Sequence, residues 1–96
     1  MIGEITVIPQ VDRSSRAIVG MAVDEIAAHG LRHKVGAAGT AVEGDLAAML
    51  DAVRAIEQRL RSAGIDRAMI EFRVQLEPHP ETLEHQIEQV GTFEER

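Results

Sequence analysis

The residues with the most chemical promise lie in Gly39-Thr40-Ala41-Val42-Glu43-Gly44, where one carboxylate is carried on a short segment between two glycines. Backbone turning tightly on both sides of Glu43 would hold that side chain in one place. A partly buried carboxylate is a strong charge-assisted acceptor, suited to an amino group on a heterocycle or to a cation. The alternative is structural: Glu43 caps the helix that follows, or faces solvent. Thr40 adds a hydroxyl, but in a regular strand it shares its face with Val42 and lies opposite Ala41 and Glu43. A pocket holding both would need a bulge or a second subunit.

His33 falls on the apolar side of an alternating run, Leu31, His33 and Val35 against Arg32 and Lys34. It reads either as a ligand contact or metal ligand, or as a satisfied core or interface residue, and no second His or Asp stands nearby at ligand spacing. The loop Gly36-Ala37-Ala38-Gly39-Thr40 superficially matches a phosphate cradle, yet it lacks the Gly-Lys-Ser/Thr ending and leads into a strand. Glu43 and Asp45 at the start of the next helix would repel phosphate, so a cationic or neutral ligand suits this end better. Glu81 and His85 form an i, i+4 pair beside Glu84 and Glu88, the pattern of a solvated helical face rather than a metal site. No nucleophile elbow, zinc-protease motif or paired catalytic carboxylates occur, so no catalytic residue is assigned.

These residues must be positioned by elements that the pattern also supplies. Residues 2–8, rich in Ile and Val and ended by Pro9, predict a buried first strand. Val19, Ala22, Val23, Ile26 and Ala27 predict an amphipathic helix with Ser14 or Ser15 as N-cap and Gly30 past its end. Strands over 31–35 and 40–43 follow. A second helix opens near Gly44 or Asp45, ends at Gly64, and is expected to bury Leu46, Met49, Leu50, Val53, Ile56 and Leu60. Ile70, Phe72, Val74 and Leu76 then alternate with Glu71, Arg73, Gln75 and Glu77 in a last strand, which Pro78-His79-Pro80 breaks. The order is that of a ferredoxin-like βαββαβ domain: a four-stranded antiparallel sheet with two helices on one face, over residues 1–80. Leu83, Ile87 and Val90 add a short helical tail over 81–96.

At 96 residues, with Phe72 and Phe93 as the only aromatics, the core is thin, which favours a homo-oligomer, dimer or tetramer. A formal charge of -6 repels phosphate backbones and anionic membrane surfaces, so neither nucleic acid nor membrane is expected as a partner. The absence of cysteine excludes disulfides and thiolate metal sites and fits a reducing cytoplasm. The first residues carry an early acid and too short an apolar run for a signal or span, so a soluble intracellular chain is expected.

The run from Leu31 to Gly44 resembles the thiamine-binding protein family of small ferredoxin-like proteins, typified by a Gly-Thr-x-x-Glu-Gly signature. Ile5-Thr6-Val7-Ile8-Pro9 is similar to the family's first strand, and Arg67 after Gly64-Ile65-Asp66 matches an arginine often found there. The chain departs at Ala37 and Ala38, where relatives carry a proline and a bulky residue, and at Leu76-Glu77-Pro78, where they end the strand with an acid and an arginine. The resemblance implies a non-enzymatic protein that binds or senses thiamine or a related aminopyrimidine at a subunit interface, with Glu43, Thr40, Gly39, His33 and Arg67 as the ligand-binding residues and no resident cofactor or metal. On that reading Glu43→Gln would weaken binding. Two rivals stand beside it: a small dimeric α+β enzyme using Glu43 as base with His33 or Arg67 as helper, and a module that only oligomerises.

Overall fold

The computed structural model describes residues 1–12 and 14–76. The proposed tail, with Glu81, His85 and Phe93, lies outside the described residues. Six elements follow in order: β1 (Ile2–Pro9), α1 (Ser15–Ala28), β2 (Arg32–Val35), β3 (Thr40–Glu43), α2 (Leu46–Ser62) and β4 (Ala68–Gln75). The strands form one antiparallel sheet in the order β2-β3-β1-β4, the ferredoxin-like arrangement, with both helices packed on one face.

Helix ends obey the local chemistry. Ser14 caps α1, accepting from the Ala17 amide at 3.4 Å, and Asp45 caps α2, accepting from the Ala48 amide at 2.7 Å. Gly30 and Gly64 follow the two helices at φ +71° and +80°, where a side chain is strained. Arg59 of α2 donates to Glu25 at 3.1 Å and Asp24 at 3.3 Å on α1, tying the helices together at their rim.

The buried stripes keep Ala22 and Ile26 of α1 and Met49, Ile56 and Leu60 of α2 from the expected pattern and differ at their margins. On α1 Ile18, Ala22 and Ile26 are buried, so Ile18 rather than Val19 opens the stripe. On α2 Met49, Ala52, Ile56 and Leu60 are buried, while Leu46 and Leu50 stand 39% and 49% exposed. An i, i+3, i+7, i+11 series is narrow enough for a helix that touches a sheet on one side and a single neighbouring helix on the other. Ile5 and Val42 meet these helical residues from the sheet, with Ile70, Phe72 and Val74 packed at the margin.

Register fixes which face each side chain takes. Ile5 pairs with Thr40 on one side and Phe72 on the other, and Thr40 pairs with Val35, all in one row facing the helices. Ile2, Glu4, Ala41, Glu43 and Arg73 take the face turned away from the helices, where Ile2 and Ala41 are nonetheless buried and Arg73 donates to Glu4 at 2.7 Å. Pro9 closes β1 from inside the strand, paired with Ala68. The Met1 carbonyl accepts from the Gly44 amide and the Gln10 amide donates to the Arg67 carbonyl, so odd residues of β1 turn their peptide groups toward β3 and even ones toward β4. Pro9 is odd. Its missing N–H falls on the side where β3 has already ended, and no ladder bond is lost.

Candidate functional site

The strand lengths leave a gap in the sheet. β1 has eight residues and β3 has four, so their pairing stops at Ile5↔Thr40, and Thr6 to Pro9 pair only with β4. Within that stretch Val7 and Pro9 are the odd residues; Pro9 has no amide hydrogen, and the Val7 amide and carbonyl point into the space above the end of β3 with no strand partner among the described residues.

The turn from Gly36 to Gly39 arches over this space. The Gly36 amide donates to the Gly39 carbonyl at 2.8 Å, closing the turn, and the Thr6 hydroxyl donates to the Ala38 carbonyl at 2.9 Å, clasping it to β1. Gly39, at φ +158°, passes so close to β1 that a Cβ there would collide with Thr6 Oγ1. Gly44 is needed for a different reason: an added Cβ would strike Leu31 Cδ2, so this glycine leaves room for a core leucine.

Beneath the turn lies a cavity of about 400 Å³, inside the range of about 300–1,000 Å³ common to small-molecule sites. Val7 and the turn line one side of it, and Ser15, Val19 and Ala22 of α1 line the other. Thr40 forms part of the wall, only 4% exposed, and Ser15 adds a second hydroxyl. Glu71 of β4 is the one charged residue among the described lining residues, and it reaches the cavity beside its register partner Thr6, on the sheet face turned away from the helices. The cavity offers a donor and an acceptor from a strand edge, two hydroxyls, apolar walls and one carboxylate, a set suited to a flat polar molecule that is neutral or cationic.

Two of the five residues singled out from sequence, Gly39 and Thr40, belong to this cavity. Glu43 stands at the far end of β3 on the face turned away from the helices, directly across from Arg32, whose Nη1 lies 3.4 Å from Glu43 Oε1. It does not cap α2, since Asp45 does. His33 faces the helices opposite Val42, and its Nδ1 donates to the Leu31 carbonyl at 3.1 Å. Arg67 is exposed just before β4, its carbonyl accepting from Gln10 at 2.9 Å. Glu43, His33 and Arg67 are therefore not brought together in the protomer. No bulge in β3 rotates Glu43 toward Thr40 either. Thr6, Val7, Ser15 and Glu71 escaped the sequence reading. The signal that would have found them is the mismatch between a long first strand and a short third one.

Among the described residues no cluster of His, Asp and Glu could hold a metal ion, and no helix is long and apolar enough to cross a membrane. No curated protein matches the chain with significance. Several solved structures share the fold. A hypothetical protein from Methanocaldococcus jannascii is 25% identical, with a TM-score of 0.78 and 94% of each chain covered. A domain of unknown function from Bacillus cereus is 25% identical, with a TM-score of 0.77, over 97% of this chain and 88% of that one. A Thermotoga maritima protein, provisionally described as a thiamine biosynthesis/salvage protein, is 21% identical, with a TM-score of 0.80, over 93% of this chain and 96% of that one. The family model for thiamine-binding proteins matches residues 3–91, nearly the whole length. The chain belongs to the thiamine-binding protein family.

Proposed function

We propose that this protein binds thiamine, or a related aminopyrimidine, without transforming it, and that the ligand occupies the cavity beneath the Gly36–Gly39 turn. The observation that carries the reading is the peptide edge of Val7, without a strand partner among the described residues, opening into a cavity of about 400 Å³ walled by Thr40 and Ser15. An aminopyrimidine presents donors and acceptors along one flat edge, which matches a strand edge that has lost its neighbour. Glu71 at the wall complements the cationic thiazolium ring. Family membership supports thiamine as the ligand. The separation of Glu43, His33 and Arg67 supports binding over catalysis, because a base and its helpers must meet at one atom. The protein would then hold or sense thiamine in the cytoplasm.

Titration calorimetry with thiamine tests the proposal. Saturable one-site binding is expected, and Thr40→Val should weaken it while leaving the melting curve nearly in place. Absence of heat with the wild-type chain, or full affinity in Thr40→Val together with Ser15→Ala, would overturn it.

A further inference from the structure

The cavity beneath the Gly36–Gly39 turn is lined from both faces of the sheet. Ser15, Val19 and Ala22 reach it from α1, on the helix side. Glu71 reaches it from β4, beside Thr6 on the face turned away from the helices. β1 lies between β4 and the gap, so only the Glu71 side chain, passing over Thr6, can touch the same space. A cavity confined to one face of a closed sheet would meet strand side chains of one parity alone. The opening that joins the two sides lies where β3 has ended. The turn stays against β1 as far as Thr6, whose hydroxyl holds the Ala38 carbonyl, and no pairing with β3 continues along Val7 to Pro9. In a sheet whose strands are spaced at about 4.8 Å, a vacated strand position leaves room for a flat ring or a slim bridge between two rings.

We propose that the ligand crosses the plane of the sheet through this opening, with a neutral hydrogen-bonding ring on the helix side and a cationic ring on the opposite face beside Glu71. The inference rests on the cavity being the thiamine site and adds the class that it selects: two-ring molecules with a short flexible bridge and their positive charge on one ring only. The two sides differ as the halves of such a ligand do. Toward α1 the described lining holds Val19 and Ala22 with the hydroxyls of Ser15 and Thr40, and no charge. A fixed cation there would lose hydration without gaining an anion. On the opposite face Glu71 is exposed and makes no ion pair among the described residues. Arg73, two residues on along the same face, is held by Glu4 at 2.7 Å, and the Thr6 hydroxyl is taken up by Ala38. Glu71 is thus the polar group on that side left to meet a ligand. Because it is solvated, its pull on a cation is modest, and it orients the ligand more than it tightens it.

Calorimetric titration and amide chemical shifts test the arrangement with three probes: thiamine, its neutral analogue with a thiophene in place of the thiazolium, and the neutral aminopyrimidine half alone. Glu71→Gln keeps the shape of the side chain and removes its charge. The expected result in this variant is a roughly twofold to fivefold loss of thiamine affinity, with the thiophene analogue and the half ligand unchanged, whereas Thr40→Val weakens all three. In the wild type the half ligand should shift the amides of Val7, Thr40 and the first turns of α1, and thiamine should add shifts at Ile8 and Glu71. Equal loss for thiamine and its neutral analogue in Glu71→Gln, no loss for either, or thiamine-specific shifts confined to α1 would overturn the proposal while leaving thiamine binding itself in place. A wild-type chain that binds none of the three overturns the proposed function and this arrangement together, an outcome distinct from the others.

Discussion

Gly39 and Thr40 show how little space separates a structural residue from a binding one. Gly39 must have no Cβ because Thr6 Oγ1 fills that place, and its φ of +158° is strained for any other residue. Gly39→Ala should therefore destabilise the fold by about 1–3 kcal/mol, read from denaturant melts. Thr40→Val removes one hydroxyl from the cavity wall and should cost thiamine affinity about 0.5–1.5 kcal/mol, roughly threefold to tenfold. Glu43 gives the contrasting case. Its pairing with Arg32 across two strands is partly solvated, so Glu43→Gln should change stability by less than about 1 kcal/mol and leave thiamine binding intact. A tenfold loss of affinity in that variant would move the ligand to the sheet face turned away from the helices.

The elements were largely legible in the sequence because their signals are local. Caps at Ser14 and Asp45, glycines at 30 and 64, and the alternation of β4 all act within a few residues. Burial was less legible, because it depends on how wide a face the neighbours cover. Leu46 and Leu50 fit the apolar period of α2 and still stand exposed, while Ala52 is fully buried. Ile56→Ala should accordingly cost about 2–5 kcal/mol of unfolding free energy, whereas Leu50→Ala should stay within about 0.5 kcal/mol. Similar losses at both positions would show that α2 packs through a broader face. The candidate site was legible by half. Gly39 and Thr40 stand in one motif, but Val7, Ser15 and Glu71 come from three other elements, and only the sheet register brings them to one cavity.

For the whole molecule, a formal charge of -6 on 96 residues sets up a long-range negative field around each copy. Added salt screens it. The same negative field should leave a fluorescent DNA duplex unbound at physiological ionic strength, measured by anisotropy.

The Val7 peptide group carries a consequence for hydrogen exchange. Along β1 the amides of Gly3 and Ile5 are sheltered by β3, and those of Glu4, Thr6 and Ile8 by β4. Val7 alone among them opens onto the cavity, so its deuterium uptake should outpace that of its neighbours on both sides by orders of magnitude. A ligand seated on that edge would slow this one position and leave the rest of β1 unchanged, turning a missing rung of the sheet into a reporter of occupancy.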